Sequence, residues 1–242
     1  LQKFDFFLFP TDAIARSAAV EFKVLPGKIL QPSLPLVTRE SNLARNEQHK
    51  PLPSQKTIAI PGSFNLKRRD YVSVYQSLKE LPPQKDKLHI HFLGPVQGRP
   101  AERLRQKMQS LHRRDLKLYF YQDFVPEDTF QAVIEKAWFL LLPLHQSVRY
   151  RIFEERYGAS KVSGSVNDVI RFGKPALIPH FYPIPQGLEA LFEAYQAPRD
   201  LAVKLNSWLI KPPKQSTNGL AVYGVKEQAL LLEQLVHKII KT

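Results

Sequence analysis

Two separated stretches carry the residue types from which an anion site is built. The first is Pro61-Gly62-Ser63-Phe64-Asn65-Leu66-Lys67-Arg68-Arg69-Asp70-Tyr71, where three cations stand just ahead of a helix-length segment. Positive charge at a helix N-terminus is disfavoured by ~0.3–1 kcal/mol per cation. A bound diphosphate reverses that sign, and arginine offers a planar fork to its oxygens. The second stretch is Ser163-Gly164-Ser165, opening a short helix that stops at Gly173-Lys174-Pro175. Small residues there leave backbone N–H groups free to face an anion. Asp168 lies about one turn further in, placed to accept hydrogen bonds from the hydroxyls of whatever carries that anion. A phosphate with a sugar beside it fits both stretches.

Each stretch also has a purely structural reading. Lys67 to Arg69 can be a solvated charge run with Asp70 as helix cap, and Ser165-x-x-Asp168 has the form of a capping box. Gly173 reads as a helix stop. Tyr119 and Tyr121 flank Phe120 in a strand and read as core packing. His145, in the polar stretch 145–156, is a candidate acid/base group or a plain surface residue. The seven histidines show no metal-ligand spacing, so no metal site is expected. Walker, dinucleotide-binding and nucleophile-elbow motifs are all absent from the sequence.

Composition narrows the partners. The net charge of +13 over 242 residues calls for an anionic partner, whether nucleotide phosphates, nucleic acid or an acidic membrane face. Without cysteine, disulfides and thiolate metal sites are excluded. The longest apolar run, Ala137 to Leu144, is too short to span a bilayer. No secretory leader is visible at Leu1, where the chain reads like the middle of something, so a fragment is expected.

The elements that must hold these residues alternate. Phe4 to Pro10 reads as a buried strand, and Thr11-Asp12 opens a short helix through Glu21. Five prolines between residues 25 and 56 mark a linker, with a domain boundary near residue 54. Strands are then predicted at 57–60, 87–93, 116–121, 138–142 and 176–178. Helices are predicted at 70–81, 100–111, 126–136, after Ser163, and near 186–195, 199–209 and 226–241. This alternation predicts a parallel α/β sheet with helices on both faces, whose ligands bind beyond the carboxyl ends of the strands.

The pairing of Pro-Gly-Ser-x-x-x-Lys-Arg-Arg-Asp-Tyr with Tyr-Gly-x-x-Lys-x-Ser-Gly-Ser-x-x-Asp-x-Ile-x-x-Gly-Lys-Pro, roughly 90 residues later, resembles the donor-binding half of glycosyltransferases with two Rossmann-like domains, the GT-B fold. Within these it looks most like the retaining "group 1" transferases. The resemblance covers about residues 57–210. It implies a remnant of the acceptor-side domain and a linker over residues 1–54, and a nucleotide-sugar-binding domain with C-terminal helices over 55–242.

The implied activity is transfer of a sugar from a nucleoside diphosphate donor to an acceptor hydroxyl, in polysaccharide or glycolipid synthesis, with no cofactor. By the same resemblance Lys67 and Arg68, with Arg69 next, hold the diphosphate and stabilise its growing charge. Gly62, Ser63, Ser163, Gly164 and Ser165 contribute to the phosphate cradle, and Asp168 binds the ribose. His145 and Lys161 are expected contacts of the sugar or acceptor. Two departures stand out. Ser160 occupies the position of a second acidic residue, and Arg68 stands where a glycine is usual. A cytoplasmic protein touching the inner membrane face is implied, with saccharide or lipid-linked acceptors. The competing readings are a basic nucleic-acid-binding protein using the helix Arg99 to Arg114, and a nucleotide-sugar-binding domain without turnover.

Overall fold

A computed structural model describes residues 6–30, 55–150, 153–213 and 219–240. Six parallel strands form one sheet: β1 (Gln55–Pro61), β2 (Lys87–Pro95), β3 (Leu116–Tyr121), β4 (Phe139–Leu141), β7 (Ala176–Pro179) and β8 (Phe192–Tyr195). Their order is β3-β2-β1-β4-β7-β8. Between β4 and β7 an antiparallel hairpin is inserted, β5 (Ser147–Tyr150) and β6 (Phe153–Arg156). Without the hairpin the order is that of a doubly wound nucleotide-binding sheet, and the winding reverses between β1 and β4. In sheets of this order the ligand crevice lies at that reversal, beyond the carboxyl ends of both strands.

Burial alternates along the strands as a sheet covered on both faces requires. Ile58, Ile60, Phe139, Leu141 and Leu177 enter one core cluster, whereas Ala59, Leu140, Leu142, Ala176 and Ile178 enter the other. The first cluster is closed by α2 (Tyr71–Glu80), α3 (Arg99–Gln109) and α6 (Pro198–Ile210). The second is closed by α4 (Glu127–Lys136) and α5 (Gly164–Phe172). Local signals place several of these ends. The Asp70 carboxylate accepts the Ser73 N–H at 3.0 Å and caps α2. Gly173 ends α5 at φ 62°, in the left-handed region.

Several expectations need correction. The stretch near 186–195 is not a helix: a single 3-10 turn at Glu189–Leu191 leads into the edge strand β8. Phe192 and Tyr195 there are buried while Glu193 and Ala194 are half-buried, because β8 joins the sheet beside β7. The polar stretch after His145 folds into the hairpin instead of a loop. Phe6 to Pro10 is not a deeply buried strand. Phe7 makes one parallel bridge, to Ile29, and Leu8 is 42% exposed. The short helix survives as α1 (Asp12–Glu21), capped by the Thr11 hydroxyl. Of the expected linker over 25–56, residues 31–54 lie outside the described residues, Pro26–Lys28 form a 3-10 turn, and Gln55 and Lys56 already belong to β1. A last helix, α7 (Val225–Ile240), follows a 3-10 turn at Ala221–Tyr223. Tyr119 and Tyr121 are half-buried and hydrogen-bonded to His89 (2.9 Å) and His91 (3.2 Å) on the neighbouring strand, and Tyr121 packs against the second core cluster.

One side chain ties the loop after β1 into this core. Phe64 is fully buried, stacked on Tyr71 with ring centroids 4.0 Å apart and edge-on to Phe92 and Phe120. Phe64→Ala is expected to cost about 3–5 kcal/mol in denaturant unfolding. A loss below about 1 kcal/mol would mean that the loop is not anchored there.

Candidate functional site

The crevice at the sheet reversal is made by the loop after β1 and the chain after β4, and backbone bonds zip the two together. The Asp70 N–H donates to the Pro143 carbonyl at 2.7 Å, and the His145 N–H donates to that of Arg68 at 3.3 Å. Arg69 and Leu144 form an isolated antiparallel bridge. Within the first loop, the Arg69 N–H donates to the Asn65 carbonyl at 3.0 Å, and the Asn65 side chain accepts the Lys67 N–H at 2.9 Å. His145 belongs to this framework: its Nε2 donates to the Leu66 carbonyl at 3.1 Å. That bond commits one ring nitrogen to holding the loop.

Arg69 crosses from this loop to the N-terminus of α5. Its Nη1 and Nη2 lie 3.4 and 3.3 Å from Ser165 Oγ, and Ser165 Oγ lies 2.8 Å from Ser163 Oγ. The guanidinium reaches Ser165 by lying across Gly62. A Cβ on Gly62 would sit 2.2 Å from Arg69 Nη2, and its φ of +100° is itself strained for any other residue. The two stretches singled out in the sequence therefore meet, but through Arg69. Lys67 and Arg68 are exposed at the rim, without an ion pair among the described residues.

The N-terminus of α5 is open where it must be. Ser163 and Ser165 are each only 2% exposed, their hydroxyls turned inward to one another and to Arg69. Gly164 is exposed, and a Cβ placed on it would meet nothing within 4 Å. The turn's first backbone bond comes from the Val166 N–H, to the Ser163 carbonyl. The amides of Gly164 and Ser165 lie ahead of it and make no backbone bond among the described residues, as the first turn of a helix leaves them. The serines thus shape the turn, and Gly164 is its exposed residue. The capping-box reading fails, since α5 begins at Gly164 and Ser163 makes no side-chain cap.

Asp168 lies on the crevice flank of α5. Burial pushes its carboxyl up to about 6, opposed by the charges of Arg69 and Arg171 and reinforced by Glu127. The other expected contacts are placed differently. Lys161 is paired with Glu155 of the hairpin, so its ammonium is already engaged. Ser63 contributes its carbonyl, which accepts the Tyr71 hydroxyl at 3.3 Å. Ser160 closes the turn before α5: its Oγ accepts the Arg156 N–H at 2.8 Å.

Sequence reasoning missed Tyr195, at the end of the unforeseen β8. Its phenol is buried beside Asp70 and Arg69, which act on its ionisation, yet has no hydrogen-bond partner among the described residues. An orphaned buried hydroxyl costs about 1–3 kcal/mol, and this one lies under the crevice. Its only sequence signal was the apolar–polar–small–aromatic run Phe192-Glu193-Ala194-Tyr195, which also suits a helix. Among the described residues no cluster of histidine, aspartate or glutamate could hold a metal ion, and no helix is long and apolar enough to cross a membrane.

The fold is that of the GT-B glycosyltransferases. Solved structures similar to the chain include a sucrose-phosphate synthase from Thermosynechococcus elongatus, at TM-score 0.61 and 14% identity, covering 100% of this chain and 60% of that one. An α,α-trehalose-phosphate synthase (UDP-forming) from Burkholderia vietnamiensis matches at 0.60 and 12%, covering 97% and 62%. The lipopolysaccharide outer core galactosyltransferase WaaB matches at 0.57 and 13%, again over 97% and 62%. The chain thus spans roughly three fifths of the length of these structures. No family model and no curated protein matches the sequence.

Two substitutions read this geometry. Gly62→Ala should displace the Arg69 guanidinium and strain the loop, at a cost of about 1–3 kcal/mol, visible as a lowered Tm. Asp168 sets a pH dependence: because its folded value lies above the unfolded 3.8, the folded state holds the extra proton between about pH 4 and 6. The wild type should lose stability, on the order of 2–3 kcal/mol, as pH rises through that window. Asp168→Asn should not lose it, and parallel pH–stability curves for the two proteins would contradict the burial of this carboxylate.

Proposed function

We propose that the chain is the donor-binding part of a glycosyltransferase that moves a sugar from a nucleoside diphosphate sugar to an acceptor hydroxyl. What carries the reading is Arg69, bridged to Ser165 at the sheet reversal, next to the open amides of α5. The donor's diphosphate lies between the Arg69 guanidinium and the Gly164 and Ser165 N–H groups. Lys67 and Arg68 close over it from the rim, and Asp168 receives the ribose hydroxyls. In the reaction the bond from the anomeric carbon to the phosphate oxygen breaks and a bond to the acceptor oxygen forms. The acceptor's proton leaves, and negative charge gathers on the diphosphate. Fixed cations and amides aimed at that charge supply electrostatic stabilisation without a resident cofactor. The +13 charge also suits docking to an anionic membrane face that presents a lipid-linked acceptor.

A second reading, a donor-binding domain without turnover, is favoured by Ser160. The resemblance places a carboxylate at that position, and here a hydroxyl is used up in the turn before α5. Single-turnover hydrolysis of UDP- or GDP-sugars separates the two readings.

The donor site is tested by thermal shift with UDP, GDP and their sugars. At a hundredfold excess over Kd, binding should add about 2.7 kcal/mol. Arg69→Ala should abolish the shift and Lys67→Ala/Arg68→Ala should reduce it. Tyr195→Phe should leave the ligand-free protein as stable or more so, since it removes an orphaned hydroxyl. Equal, steeply salt-dependent shifts with single-stranded DNA and with the nucleotides would instead favour nucleic-acid binding.

A further inference from the structure

A cavity of about 300 Å³ lies on the flank of α5 opposite the crevice. On α5, Ser165 and Asp168 face Arg69, whereas Val166 and Ile170, on the far side of the helix, line the cavity. The first turn of α1 forms another wall, with Asp12 and Arg16 among the lining residues. Tyr182, from the loop after β7, and Tyr223, just before α7, add two aromatic walls. The Tyr182 phenol lies near the Ser163 N–H, and the Tyr223 phenol near the Asp12 carboxylate.

This lining differs in kind from that of the crevice. Asp12 offsets Arg16, so the cavity has no surplus of positive charge with which to hold an anion. Aliphatic floor, aromatic walls and planar polar groups together match a ring that is apolar on its faces and hydroxylated at its edge. Asp12 accepts from such hydroxyls, and the amide of Asn167, also in the lining, both donates and accepts. A volume at the lower end of the ligand-pocket range suits one such ring better than a long chain. Val162 and Asn167 bring the cavity up to the turn whose other side faces Arg69.

We propose that this cavity binds a neutral saccharide unit, held by Asp12 and Asn167 between the tyrosine walls, at a site separate from the donor crevice. Sugar binding in this cavity does not depend on the donor reading above.

The probes are methyl glycosides of glucose, galactose, mannose and N-acetylglucosamine, observed by saturation-transfer NMR in the presence and absence of UDP. At least one should receive saturation from the protein. Ala13→Trp, which fills the cavity from α1, and Asp12→Ala should each weaken that binding about tenfold. Both variants should keep the wild-type Tm shift with UDP, which shows that they fold and that the donor site is intact. If UDP binds but no methyl glycoside does, or if the glycoside signal survives Ala13→Trp, the cavity proposal fails while the donor reading stands. Binding of n-octyl glucoside without any methyl glycoside also overturns it, in favour of an alkyl-chain pocket. Loss of the UDP shift in the wild type, with glycoside binding still abolished by Ala13→Trp, removes the donor reading and keeps the sugar site.

Discussion

The guanidinium of Arg69 is the joint on which the site depends. It lies across Gly62, reaches Ser165 and acts on the half-buried Asp168 carboxyl, so that the loop after β1 and the start of α5, distant in sequence, share one cation. The arrangement needs a residue with no Cβ beneath it and a small hydroxyl opposite. It also needs a backbone stiff enough to hold both loops at hydrogen-bond distance. Phe64 supplies part of that stiffness by anchoring the first loop in the core, and the pairing with the chain after β4 supplies the rest.

Around this joint the polar groups divide by task. The buried serines are spent on shape, His145 holds the neighbouring loop, and Asp70 caps its helix. What is left facing outward is backbone N–H at Gly164 and long cations at the rim. Such a site favours charge on a ligand over any particular side-chain contact, because amides and guanidinium groups are fixed donors. The Tyr195 hydroxyl, without a partner among the described residues, and the elevated Asp168 carboxyl are the uncompensated parts of this design. Uncompensated groups of this kind concentrate where a ligand completes them.

The inserted hairpin and the N-terminal segment add a second frame around α5. Glu21 of α1 pairs with Arg156 of β6, and Glu155 pairs with Lys161 just ahead of α5. The approach to α5 is thereby held from the side away from Arg69, where the cavity lies. One short helix is consequently shared by two differently built concavities, one cationic and one neutral.

The alternating strands and helices, and the cation-rich and serine–glycine stretches that the fold brings together beside the carboxylate a turn into α5, were legible in the sequence alone, because each is local. Hydrophobic period, capping residues and small-residue turns act within about ten residues. β8 was not legible, since Phe192 to Tyr195 becomes a strand only by pairing with β7. The hairpin likewise forms by pairing Ser147–Tyr150 with Phe153–Arg156. Nor could the sequence decide which of three adjacent cations would turn inward. Lys67, Arg68 and Arg69 are locally near-equivalent, and the choice follows from the bridge to Leu144 and the empty space over Gly62. Both exist only once β1 and β4 lie side by side in the sheet. Tertiary pairing made that decision, because it fixes the direction in which each loop side chain leaves the backbone.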